Sequence, residues 1–200
     1  MGKCNLNDAS AVIVRNSQHG QKDAVDIAVT ITAPSCSIVI PCYDEAKNIP
    51  LVLERCREAF TGQDIELVLV DNGSCDGTAE LLCRLLPDYP FARSVRVEVN
   101  QGYGFGILAG LRSCNSEILG WTHADMQTDP ADIPKALRLM QTCDNPGSCF
   151  VKGTRVGRRL SDNLFTLGMS IFESLLLLKP MWEINAQPVL FRRSFFLSWN

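Results

Sequence analysis

The amino-acid sequence predicts an α/β protein, a three-layer α/β/α domain on a mainly parallel central sheet. Three observations carry this prediction. Strand-like segments recur at Ser37–Ile40, Ile65–Val70 and Ile118–Trp121, as short apolar runs, and at Ser94–Val99, where apolar and polar residues alternate. Segments with helical apolar spacing lie between them, and polar or acidic residues close each run. Strand and helix alternating four times imply parallel strands joined by right-handed crossovers.

The elements follow in order. Residues 1–34 are polar apart from Ala11–Val14 and Ile27–Ile31, and form either an edge hairpin or a loose extension. Residues 35–200 form the domain. The first strand, Ser37–Ile40, ends at Pro41. Ile49, Val52, Leu53, Cys56 and Phe60 then share one helix face. The second strand ends at Asp71. A turn at Asp76-Gly77-Thr78 opens a short helix, Ala79–Leu86, that Pro87 closes. After the third strand, glycines 102, 104 and 106 lead into a helix through Leu111. The fourth strand ends at His123-Ala124-Asp125, and Thr128-Asp129-Pro130 starts another helix.

Composition narrows the class of partner. The chain has 200 residues, 46% apolar and 20% charged, with Lys+Arg 19 against Asp+Glu 22. A net charge of −3 excludes nucleic-acid binding by bulk charge. Nine scattered cysteines with no CxxC pair read as reduced thiols in a cytoplasmic protein. The N-terminus lacks the apolar stretch of a secretory signal, and Leu6 breaks the myristoylation pattern begun by Met1-Gly2.

Ligands of open parallel sheets bind beyond the carboxyl ends of the strands. Pro41, Tyr43, Glu45, Asp71, Asn72, Asn100, His123, Asp125 and Gln127 all fall there. In an extended segment, residues 123, 125 and 127 point the same way. Imidazole, carboxylate and amide oxygen then form a shell for Mn²⁺ or Mg²⁺, completed by diphosphate oxygens. The alternative is a helix N-terminus in which Asp125 or Asp129 caps backbone N–H groups; capping suits Asp129 and ligation suits Asp125.

Four blocks carry a family resemblance: Ser37–Ile49 (SIVIPCYDEAKNI), Val70–Thr78 (VDNGSCDGT), Asn100–Gly104 (NQGYG) and Ala124–Pro130 (ADMQTDP). Together they resemble family 2 glycosyltransferases of the GT-A fold, among them polyprenyl-phosphate sugar transferases typified by dolichol-phosphate mannose synthase. The resemblance spans about Ser37 to Arg193. It implies a nucleotide pocket lined by Pro41, Tyr43 and Glu45, with Asp71 on the base and Asn100 and Gly102 beside it. It implies a DxD-like metal site at His123, Asp125 and Gln127, and phosphate contacts from Arg155 and Arg159 in Gly153-Thr154-Arg155 and Arg158-Arg159. Asp125 and Arg155 are the catalytic candidates. Two positions depart from the family pattern: His123 replaces the first acid of the DxD, and Asn72 the second acid of Asp-Asp-Gly-Ser. Glu183–Pro188 resembles a variant of the family's acceptor-side loop, and the resemblance predicts a C-terminal portion beyond Asn200.

The implied activity is transfer of a sugar from a UDP- or GDP-sugar, with Mn²⁺ or Mg²⁺, to an acceptor. No Glu-Asp base pair follows the metal motif, with Asp162 and Glu183 as the alternative bases, and a phosphate acceptor is already anionic and needs none, which favours a polyprenyl phosphate over a glycan hydroxyl. Residues 162–178 are apolar except for a stripe at Thr166, Ser170 and Glu173. They read either as a helix buried on the sheet or as an interfacial helix giving peripheral contact with the cytoplasmic face of a membrane. Lys152, Arg155, Arg158 and Arg159 either meet anionic head groups or solvate a loop. Two rival functions stand. Gly104-Phe-Gly106-Ile-Leu-Ala109 matches a dinucleotide fingerprint, which suggests an NAD(P)-dependent enzyme. A catalytically silent sugar-nucleotide-binding protein of the same fold is the other.

Overall fold

The computed structural model describes residues 34–143, 149–153 and 186–198. The chain divides between Thr32 and Ala33, and everything below concerns the second unit. Its six-stranded sheet has the order β3-β2-β1-β4-β6-β5. The strands are β1 Cys36–Cys42, β2 Ile65–Asn72, β3 Ala92–Val97, β4 Ile118–Trp121, β5 Phe150–Lys152 and β6 Val189–Arg192. The helices are α1 Ile49–Ala59, α2 Thr78–Leu85, α3 Tyr103–Arg112, α4 Asp132–Gln141 and α5 Arg193–Leu197. A 3₁₀ turn at Leu86–Asp88 absorbs Pro87 after α2.

The first four strands are parallel, as the alternation predicts. β6 then joins β4 antiparallel, and β5 pairs antiparallel with β6. β1 runs past its expected end at Pro41 because its ladder with β4 stops at Val39–Trp121. Beyond that point β1 is open on one side, so a missing N–H removes no sheet bond there.

Strand alternation sorts the core into two faces. Ile38, Ile40, Leu67 and Leu69 pack with Ile49, Leu53, Leu82, Ile133 and Met140 from α1, α2 and α4. Val39, Val68, Val70 and Leu119 pack on the other face with Ile107 and Leu111 of α3. Helix α3 lies close because it is glycine-rich where it touches the sheet. A Cβ on Gly110 would stand 2.4 Å from Val39 and 2.8 Å from Val70, and one on Gly106 would stand 3.1 Å from Pro41. Of the dinucleotide-like fingerprint, Gly106 is therefore accounted for by helix–sheet packing, whereas Gly104 faces open space.

Cys143 and Cys149 are joined by a disulfide, against the expectation that every cysteine is reduced. Cys36, Cys42, Cys56 and Cys114 are buried, and Cys75 and Cys83 are exposed. The apolar segment 162–178 and the Arg158-Arg159 pair lie outside the described residues.

Candidate functional site

The carboxyl ends of β1, β2, β3 and β4 open on one cleft of about 250 Å³. Pro41, Tyr43 and Glu45 line it after β1, and Asn72 after β2. Asn100, Gly102 and Tyr103 line it after β3, and His123 and Asp125 after β4.

Two loops of this cleft are bound to each other. Asp44, at φ 55°, donates its N–H to Ser74 Oγ at 3.1 Å and accepts the Cys75 N–H on Oδ1 at 2.8 Å. The Ala46 N–H reaches Asp76 Oδ2, and the Glu45 N–H reaches Thr78 Oγ1, both at 3.1 Å. Partial desolvation works against the Asp76 charge, but bonds from Thr78 and Ala46 outweigh it and hold its carboxyl below the ordinary carboxylate value. Glu45 Oε2 accepts from Asn48 Nδ2 at 2.6 Å, which aligns the carboxylate beside the start of α1.

Asn72 and Asp71 sit on opposite faces of β2. Asn72 continues the Val68–Val70 face, under α3, and meets the cleft. It is 2% exposed. Its Nδ2 donates to Asn100 Oδ1 at 3.2 Å and to the Gly102 carbonyl at 3.0 Å. Asn100 Oδ1 also accepts the Gly102 N–H at 2.8 Å, fixing the turn into α3. Asn72 Oδ1 is left buried with no partner among the described residues. A buried acceptor of this kind is costly unless a ligand N–H or O–H meets it.

The structure does not bring Asp71 to the cleft. Its carboxylate pairs with Arg96, its direct neighbour across the β2–β3 ladder, and its Oδ1 accepts the Ser74 N–H at 3.0 Å. The residue against the cleft is the adjacent Asn72, which the sequence places with Asp71 at the end of β2 without deciding which of the two faces the ligand. Counting alternation back from Val70 and Val68 was the signal that could have found it.

His123 continues the Leu119–Trp121 face of β4, and its ring stacks on Tyr103 with centroids 4.8 Å apart and planes 19° apart. Asp125 is exposed at the cleft, and its Oδ1 accepts the Gln127 N–H at 3.0 Å. Gln127 itself does not line the cleft, which corrects the expected three-residue shell. That shell assumed an extended segment, whereas Met126 has φ 59° and breaks the alternation between 125 and 127. Asp129 does not cap α4, whose N-cap is Ala131 with no side-chain bond; its Oδ1 accepts the Ala131 N–H at 3.0 Å in the turn before the helix. Arg155 and Arg159 lie outside the described residues.

Among the described residues no three His, Cys, Asp or Glu side chains gather as a metal cluster. His123 and Asp125 offer an imidazole and a carboxylate to the same cleft. That donor pair fits a divalent ion whose remaining positions go to water and ligand oxygens, as hard cations require. The ten-residue helix α3 also begins at the cleft wall, where its N–H groups favour an anion. A small polar cleft with an orphan acceptor, two metal-capable side chains and a helix N-terminus suits a nucleoside diphosphate.

The fold and the cleft define a nucleotide-type α/β domain. The chain belongs to glycosyl transferase family 2, whose model matches residues 37–194. An undecaprenyl-phosphate 4-deoxy-4-formamido-L-arabinose transferase from Photorhabdus laumondii is 36% identical over 135 residues, covering 64% of this chain and 39% of the relative. A transferase of the same name from Pseudomonas syringae is 37% identical over 111 residues, covering 52% and 32%. The chain thus spans well under half the length of these curated relatives. A mannosyltransferase from Pyrobaculum calidifontis, solved with GDP-Man and Mn²⁺, has a TM-score of 0.59 at 20% identity, covering 85% of this chain and 48% of that one. Glucosyl-3-phosphoglycerate synthase from Mycobacterium tuberculosis, solved with Mn²⁺, UDP and phosphoglyceric acid, has a TM-score of 0.56 at 21% identity, covering 80% and 56%. These structures share the GT-A fold with this chain.

Proposed function

We propose that this chain carries the donor domain of a glycosyltransferase that moves a sugar from a nucleoside-diphosphate sugar to a polyprenyl phosphate. The observation that carries the reading is the convergence of Asn72, Asn100, His123 and Asp125, from three strand ends, on one cleft in a family 2 chain. The names of the undecaprenyl-phosphate relatives support the acceptor class.

The chemistry follows from the groups in the cleft. The acceptor phosphate oxygen attacks the anomeric carbon, and the bond from that carbon to the donor diphosphate breaks. An acceptor phosphate is already anionic, so no general base is needed. A divalent ion, when bound, supplies charge neutralisation for the leaving diphosphate. His123 and Asp125 would hold such an ion, and Arg155 and Arg159 would take the remaining phosphate charge. Asn72 Oδ1 accepts from the nucleoside, and Tyr43 and Glu45 wall the pocket opposite. Gln127 and Asp71 act from outside the cleft, through the Asp125 turn and the Ser74 loop.

No helix among the described residues is long and apolar enough to cross a membrane. With a lipid-linked acceptor, the cleft of this domain works at the cytoplasmic face of a membrane. The test is transfer of radiolabelled sugar from UDP- and GDP-sugars to undecaprenyl phosphate in detergent micelles containing Mn²⁺. Label entering the organic phase with wild type, and not with Asp125→Ala, is the expected result. Nucleotide binding without any lipid-linked product from either donor class would overturn the acceptor assignment and favour the silent binding protein.

A further inference from the structure

Gln187 touches the cleft-lining Tyr103 from a part of the chain remote from the four strand ends. It stands two residues before β6, in the Glu183–Pro188 segment that the donor site does not use. Its Nε2 donates to Tyr103 Oη at 2.9 Å. Its Oε1 is buried without a partner among the described residues. The backbone of Gln187 is held as tightly as its side chain. The Gly153 N–H donates to the Pro188 carbonyl at 2.8 Å, and a Cβ on Gly153 would stand 2.0 Å from the Gln187 carbonyl oxygen. Only glycine lets the two strands approach this closely.

Tyr103 passes this constraint to His123. Its phenol oxygen lies 3.4 Å from His123 Nε2. With the ring planes only 19° apart, that oxygen sits over the imidazole face, not in the plane where the nitrogen lone pair or N–H points. The contact is therefore a stack. Both imidazole nitrogens keep their in-plane directions for a ligand, and the orientation of those directions is set by the Tyr103 ring. Burial pushes the Tyr103 phenol above its ordinary value, which the Gln187 bond only partly offsets, so the ring is neutral at pH 7.

We propose that Gln187 is a positioning residue of the cleft, setting the plane of His123 through Tyr103. The inference rests on the donor-site reading for its consequence in binding, but its geometric core is testable without any ligand. The chain has two histidines, His19 and His123, so His19→Gln leaves one imidazole to observe. In that background, NMR of the full chain should place the His123 ring protons upfield of a solvated imidazole, because they lie in the Tyr103 ring current. Gln187→Met, which keeps length and removes the donor, should move them downfield. Tyr103→Phe keeps the ring but removes the partner oxygen, so Gln187→Met added to it should produce no further movement.

A His123 resonance unmoved by Gln187→Met in a chain with wild-type amide dispersion would overturn the proposal. An equal further shift in the Tyr103→Phe background would also overturn it, since Gln187 would then act by another route. Should Gln187→Met fail to fold, Tyr103→Phe alone decides: it must shift the His123 signals by loosening the stack. Nucleotide affinity with Mn²⁺ should fall roughly tenfold in Gln187→Met, the lower end of the loss on removing an outer-shell partner. If wild type binds neither UDP nor GDP, the donor reading fails while the ring-proton result still decides the role of Gln187.

Discussion

Arg55 of α1 grips Asp129 with both arms of its guanidinium, Nε to Oδ1 at 2.9 Å and Nη2 to Oδ2 at 2.8 Å. The loop carrying His123 and Asp125 is thereby tied to the helix that follows the first cleft loop. Two parallel charge-assisted bonds fix geometry in a way a single surface ion pair does not. The hydrogen bond from Arg55, with help from the Ala131 N–H, holds the Asp129 carboxyl below its ordinary value.

The sign of the pH dependence follows. A depressed carboxyl stabilises the fold above the unfolded value, near about 3.9, and loses that contribution as pH falls through the folded value. Asp129→Asn should therefore melt below wild type at pH 7, with the gap closing as pH drops below about 4. Thermal unfolding between pH 7 and pH 3 measures this. A gap that stays constant across the range would show that the pair contributes nothing through its charge.

Gly73 should not tolerate a side chain. Its φ is 74°, and a Cβ would stand 2.5 Å from the Asn100 amide nitrogen. The left-handed conformation alone costs about 1–2 kcal/mol for alanine. Gly73→Ala should lower stability in urea by at least that amount and weaken nucleotide binding by displacing Asn100. A variant with an unchanged urea midpoint would contradict the close approach.

The glycines of α3 should divide by what faces them. Gly110→Ala forces a methyl into Val39 and Val70, and overpacking of this kind costs about 1–3 kcal/mol. Gly104 faces open space, so Gly104→Ala should be neutral or stabilising by up to about 1 kcal/mol through helix propensity. Denaturant midpoints separate the two. Loss of nucleotide binding in Gly104→Ala with stability intact would mean that this glycine meets ligand phosphates, as the dinucleotide fingerprint has it.

Thiol chemistry should follow burial. Desolvation pushes the Cys36 and Cys56 thiols up to about 12 and raises Cys42 and Cys114 as well. At pH 8 Cys36 and Cys56 have almost no thiolate, and all four are buried. Among the described residues, a maleimide should modify Cys75 and Cys83 first, and reach the buried four only on unfolding. Peptide mapping after a short pulse reads the order, and early labelling of Cys42 would contradict the packing of β1.

Much of the fold was legible because parallel strands write themselves as short β-branched runs and their helices as 3.6-residue spacing. Ser37–Ile40 and Ile65–Val70 are of this kind. The antiparallel β5 and β6 were not legible, since three or four residues such as Phe150–Lys152 have no pattern until a partner strand is known. The cleft was legible at Tyr43, Glu45, Asn100, Gly102, His123 and Asp125, which stand past strand ends, and at Pro41, which lies inside β1. It was misread where backbone geometry decides. Asp71 takes its expected base contact from the family resemblance, yet one step of strand alternation hands the cleft to Asn72. Gln127 was grouped with Asp125 on an extended chain that the positive φ of Met126 breaks. Gln187 reaches the site only through the pairing of β6 with β4, which local sequence does not encode.

The central claim, a metal-assisted nucleotide site built on Asp125, is tested most directly by calorimetric titration of UDP and GDP, with and without Mn²⁺. The titrations compare wild type with Asp125→Ala. The account predicts Mn²⁺-dependent binding of one nucleotide by wild type and its loss in the variant. Failure of wild type to bind either nucleotide in the presence of Mn²⁺, or equal binding by Asp125→Ala, would contradict it.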